Sequence, residues 1–92
     1  MYSALVIVRI PKQEDAGDVR AAWMILRDQI AAQDWLSSAT EVLSSGVLHI
    51  SLSNGLSDLA AVVQKCEEGQ LSYRVLFLDK EPQWLGSYVK SK

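Results

Sequence analysis

Thr40-Glu41-Val42-Leu43-Ser44-Ser45-Gly46-Val47-Leu48-His49-Ile50-Ser51-Leu52 is the stretch that decides the fold. Its second half alternates with a period of two. Leu48, Ile50 and Leu52 point one way, while Val47, His49 and Ser51 point the other, as in a strand with one buried face. Thr40 to Leu43 reads as a partner strand, and Ser44-Ser45-Gly46 as a short turn. Two strands separated by three residues that include a glycine form a hairpin.

The segments on either side determine how that hairpin is used. Upstream, Tyr2 to Ile10 is short, rich in β-branched residues and stopped by Pro11, so it reads as a strand. It carries Ala4, Val6, Val8 and Ile10 on one face and Leu5 and Ile7 on the other, which marks a central strand. A helix is expected from about Asp18 to Gln33, with Asp18 as N-cap and Glu14 and Asp15 suited to the positive end of its dipole. Val19, Ala22, Trp23, Leu26 and Ile30 recur at helical spacing and form its buried stripe. Trp35 and Leu36 follow as an apolar pair that closes the helix end onto the core.

Downstream, Asn54-Gly55 punctuates the chain. Ser57 is placed to cap a second helix from Asp58 to about Glu68, stopped by Gly69. The stripe of this helix is Leu59, Val62, Val63 and Cys66. Leu71 to Leu78 reads as the last strand. After Asp79-Lys80-Glu81-Pro82 comes a tail that holds Trp84, Leu85, Tyr88 and Val89.

Strand, helix, strand, strand, helix, strand is two β-α-β units joined by the hairpin. This predicts an α+β protein of the ferredoxin-like, split βαβ arrangement. The expected form is an antiparallel four-stranded sheet with strands one and three central, two helices on one face and a short C-terminal extension. Residues 1–92 are read as one such domain, within the usual domain size. Hydrophobic residues at 49% and charged ones at 22% exclude a disordered chain.

Several chemistries are disfavoured. The formal net charge is −2: residues 1–46 hold four basic side chains against six acidic, and residues 47–92 balance five against five. Nucleic-acid binding draws most of its affinity from a basic surplus, so it is not expected. The topology resembles that of RNA-recognition domains at the level of fold only, because Val47 to Leu52 lacks the aromatics that stack bases. One cysteine, Cys66, and one histidine, His49, are too few for a structural zinc or iron–sulfur centre, so neither metal nor cofactor is expected. The five glycines are scattered and form no phosphate-binding loop. The apolar run from Ala4 to Val8 is too short for a signal peptide or a membrane span. A lone cysteine also fits a reducing, cytoplasmic setting with no membrane association.

The helices are expected to cover the sheet face that holds Val6, Val8, Ile10, Leu48, Ile50 and Leu52. The other face would present Leu5, Ile7, Arg9, Val47, His49, Ser51, Arg74, Leu76 and Leu78. Such a face is normally polar. Aliphatics left there mark a contact surface, covered either by a partner or by the C-terminal tail folding back with Trp84 and Tyr88; Leu5, Ile7, Leu76 and the tail residue Trp84 are the candidate interface residues. The leading expectation is a non-enzymatic interaction module that binds a protein partner, with a homodimer as the expected form. A second is a domain that binds a small anionic or polar molecule through Arg9, His49 and Arg74. A third is a small enzyme with His49 as general base. Cys66, on a core stripe, reads as a small buried hydrophobe.

Overall fold

A computed structural model of the protein describes residues 1–32 and 36–83. Its elements run β1 (Ser3–Val8), α1 (Gly17–Ala32), β2 (Thr40–Ser44), β3 (Val47–Ser51), α2 (Leu56–Glu68) and β4 (Tyr73–Leu78). The sheet is antiparallel between all neighbours, with order β2-β3-β1-β4. This is the α+β, ferredoxin-like arrangement, with β1 and β3 in the centre. Trp35, Trp84, Tyr88 and the rest of the expected tail contact lie outside the described residues.

Alternation along the strands builds the core. Ala4, Val6 and Val8 of β1 and Leu48 and Ile50 of β3 are buried on one sheet face. Trp23, Leu26 and Ile30 of α1 and Leu59, Val62 and Cys66 of α2 join them in one cluster, so both helices cover that face. Val19, Leu36, Leu52, Val63 and Val75 pack around it half-buried. The helical stripes therefore fall where their spacing puts them. Met24 and Ile25, at the edge of the α1 stripe, are exposed. Fully burying a side chain such as Leu48 or Val62 contributes roughly 1.5–3 kcal/mol.

The element ends differ from expectation in instructive ways. β1 stops at Val8, so Ile10 is 49% exposed and does not join the core face. Arg9 continues the ladder only through its N–H to the Ser72 carbonyl, at 2.8 Å. α1 begins at Gly17, which places Asp18 in the first turn and not at the cap. There its Oδ1 accepts the N–H of Val19 at 2.9 Å. Ser57 does not cap α2 either. The helix starts at Leu56 behind Gly55, with no side-chain cap. In the β2–β3 hairpin, Val42 pairs with Leu48 and Ser44 with Val47, which leaves Leu43 as a bulge and shortens the turn to Ser45-Gly46. Gly46 takes φ +80°, and its carbonyl accepts the Val8 N–H at 2.7 Å, tying the turn to the end of β1.

The end of α2 holds another surprise. Gly69 is right-handed, and the residue with positive φ is Gln70, at 57°. The Gln70 N–H reaches the Glu67 carbonyl at 3.2 Å, and the Leu71 N–H reaches that of Cys66 at 2.9 Å. Those two bonds are a Schellman motif, with buried Leu71 set against buried Cys66. Gly69 serves packing instead, since a Cβ there would lie 2.7 Å from the Cβ of Ala22 on α1. The left-handed region disfavours Gln by roughly 1–2 kcal/mol. Gln70→Gly is therefore expected to stabilise the fold by up to about 1 kcal/mol after the glycine's larger unfolded-state entropy is deducted. Thermal melting should show a Tm higher by a few degrees.

Candidate functional site

The register fixes what stands on the sheet face opposite the helices. One row across the sheet reads Glu41, His49, Leu5, Leu76. The next row, toward the end of β1, reads Val47, Ile7, Arg74, and the row on the other side reads Ser51, Ser3, Leu78. The face is thus divided. Glu41, His49 and Ser51 stand on β2 and β3 with Val47, next to Ser3 of β1, while Leu5, Ile7, Leu76 and Leu78 stand on β1 and β4 with the exposed Arg74 among them.

The polar half is closed. Ser3 is fully buried although it belongs to this face, and His49 keeps only 14% of its side chain exposed. The Nε2 atom of His49 lies 3.0 Å from the Ser3 hydroxyl, and Nδ1 lies 4.0 Å from a Glu41 carboxylate oxygen. Carboxylate, imidazole and hydroxyl follow in the order used to activate a serine nucleophile. Two facts oppose that chemistry. The carboxylate is beyond hydrogen-bond distance of the ring, and the hydroxyl has no exposed surface from which to attack a substrate. The arrangement instead gives a buried serine a partner, which spares the roughly 1–3 kcal/mol that an unsatisfied buried polar group costs.

The apolar half is open. Ile7 is 44% exposed and Leu76 55% exposed, while Leu5 between them is half-buried. Of the four candidate interface residues, three therefore form one diagonal patch across β1 and β4. Trp84 lies outside the described residues.

Arg9, His49 and Arg74 do not converge. Arg74 pairs with Ile7 and His49 with Leu5, so they stand two strands and two residues apart, roughly 12 Å from Cα to Cα by strand geometry. Arg9 lies past the end of β1, where its guanidinium meets Asp15 at 3.2 Å. The Lys12 backbone N–H, donating at 2.6 Å, holds the Asp15 carboxyl below its ordinary value, and Arg9 adds to the effect. Arg9 is thereby anchored to the β1–α1 loop.

Cys66 is buried in the core, where desolvation and the neighbouring Glu67 push its thiol up to about 11. It stays protonated and poorly nucleophilic at neutral pH. Among the described residues there is no group of three or more His, Cys, Asp or Glu side chains that could hold a metal ion. No described helix is long and apolar enough to cross a membrane.

One functional-looking group escaped the sequence reading. Asp58, in the first turn of α2, is only 5% exposed. Its Oδ2 accepts from the Ser37 N–H at 2.9 Å, the Ser37 hydroxyl at 2.9 Å and the Thr40 hydroxyl at 2.6 Å. Every partner is a protein donor, so this carboxylate acts as an internal clamp between α2 and the approach to β2. Sequence spacing carries no signal for it, because Ser37 and Asp58 are 21 residues apart.

Comparison of the chain with protein-family models, with curated proteins and with solved structures finds no match.

Proposed function

We propose that the protein is a non-enzymatic interaction module that self-associates through the open half of its sheet face. The observation that supports this reading is the exposure of Ile7 and Leu76 beside Leu5 on a strongly paired sheet. An antiparallel sheet that keeps one face in water puts polar side chains there. Here the β1–β4 half presents aliphatics around one exposed cation, Arg74, and apolar patches of this kind mark contact surfaces. Two copies stacked face to face would remove these side chains from water, at the ~10 Å separation usual for packed sheets. The buried Ser3 and the 4.0 Å gap between Glu41 and the His49 ring favour this reading over an enzyme that uses His49 as base.

Sedimentation velocity at micromolar concentration tests the proposal. A species of twice the 10.2 kDa chain mass is expected. Leu76→Glu should return it to monomer with an unchanged circular dichroism spectrum, because burying an unpaired carboxylate at an interface costs several kcal/mol. A wild-type protein that stays monomeric at 100 times that concentration would overturn the reading.

A further inference from the structure

On the helix side of the sheet, away from the open face, a cleft of about 120 Å³ lies between α1 and the β2–β3 hairpin. Trp23, Arg27 and Ile30 line it from the helix, at a spacing that puts all three on one side. Val42, Ser44 and Ser45 line it from the hairpin. The floor is apolar, since Trp23 and Ile30 are each 6% exposed. The rim is polar and wet: the Arg27 side chain is 47% exposed, and Ser44 and Ser45 are exposed.

The mouth of the cleft points to a ligand. Among the described residues the Arg27 guanidinium, the cation at the mouth, meets Asp28 alone, at a long 3.4 Å between two exposed side chains. A pair of that kind is worth little and yields readily. Hydroxyls from Ser44 and Ser45 stand across the cleft from it.

We propose that this cleft binds a compact carboxylate with an apolar body of about five to seven carbons. An apolar cavity of about 150 Å³ accepts benzene, so a cleft slightly smaller but open on one side takes a ring or a branched chain whose carboxylate remains at the mouth. The planar guanidinium of Arg27 matches a carboxylate in a two-point pair. The apolar floor rests against the hydrocarbon. A phosphate is a poorer fit, because its two negative charges would meet one arginine beside Asp28 over an apolar floor. The cleft lies on the sheet face opposite to the proposed self-association surface, so a ligand there would not compete with a second copy.

The test is a titration of the isotopically labelled full chain with benzoate, following the three indole N–H resonances by nuclear magnetic resonance. The Trp23 signal is assigned through Trp23→Phe or by through-bond assignment of the wild type. A saturable shift of that signal is expected, with a Kd on the order of 1 mM for a ligand this small. Benzamide, of the same shape without the charge, should bind about tenfold more weakly, and Arg27→Gln should weaken benzoate by a similar factor, the worth of one charge-assisted hydrogen bond. No saturable shift at about ten times that concentration would overturn the proposal. Equal binding of benzamide and benzoate, or undiminished binding to Arg27→Gln, would overturn it too.

Discussion

Gly55→Ala is expected to cost about 3 kcal/mol or more, a large share of the stability of a domain of this size. The reason is space and not backbone conformation, since φ at Gly55 is −121°, which any residue adopts. A Cβ there would overlap the Ser51 carbonyl oxygen and come within 2.7 Å of Ile50 Cγ2 and 2.9 Å of Ala39 Cβ. None of those atoms can withdraw cheaply. Ser51 is the last residue of β3, and its N–H is bonded to the Ala39 carbonyl at 2.9 Å. Ile50 is fully buried in the centre of the core. Moving either one means pulling β3 away from β1, so the strain is carried by the ladder itself. Gly17 is the control: a Cβ there meets nothing nearer than Arg20 Nη2 at 3.7 Å. Urea denaturation should find Gly17→Ala as stable as wild type or slightly more so. A Gly55→Ala protein within 1 kcal/mol of wild type would show that the α2 start can shift away from β3, contrary to the close packing described.

Gly55 also shows where sequence legibility stops. Asn54-Gly55 is readable as punctuation, and a helix does start there. What the sequence does not carry is which atom pays for a side chain at that glycine, because Ala39 and Ile50 come from other segments. Elements built on local periodicity were readable to within a few residues: the strand alternation of Leu48 and Ile50, and the stripes of Trp23, Leu26, Ile30 and of Leu59, Val62, Cys66. Together with right-handed crossovers they put β1 and β3 in the centre. The helix caps depart from the expected residues for a physical reason. Asp18 and Ser57 are residues of the capping type, but a cap needs one particular backbone position, and the chain enters each helix one or two residues earlier. The open sheet face was legible as a set of residues and not as a surface. Register alone sets Ser3 diagonal to His49 and separates His49 from Arg74, and nothing in composition forecasts that one half of the face closes over a serine. The α1–β2 cleft was invisible for a related reason. Trp23 and Ile30 read as core, as they are, and only the bulged hairpin shows that the core stops short of Arg27.

Asp58 carries the second large effect and sets the acid limit of the fold. Burial by itself raises the pKa of its carboxyl, but the hydrogen bonds from the Thr40 hydroxyl and from the Ser37 N–H and hydroxyl outweigh it, and the net shift is downward from 3.8. Those bonds are made to the charged form. The unfolded chain therefore takes up a proton at a higher pH than the folded one. The clamp's contribution is fully present above the unfolded value near 4 and is lost as pH falls through the lower folded value. The carboxylate also sits in the first turn of α2, where the helix dipole favours a negative charge. Asp58→Ala removes the acceptor and leaves the Ser37 N–H and two hydroxyls without it, so a loss of about 2–4 kcal/mol at pH 7 is expected, given that a hydrogen bond to a charged group is worth roughly 1.5–3 kcal/mol. Asp58→Asn keeps an oxygen acceptor in place and should lose less, about 1–3 kcal/mol, while its stability no longer falls with the Asp58 titration. Urea titrations at pH 7 and at steps down to about pH 3 read both predictions together. The gap between wild type and Asp58→Asn should narrow as pH drops below 4. If it stays constant over that range, the carboxylate's charge contributes nothing to the clamp, and Asp58 holds Ser37 and Thr40 by shape alone.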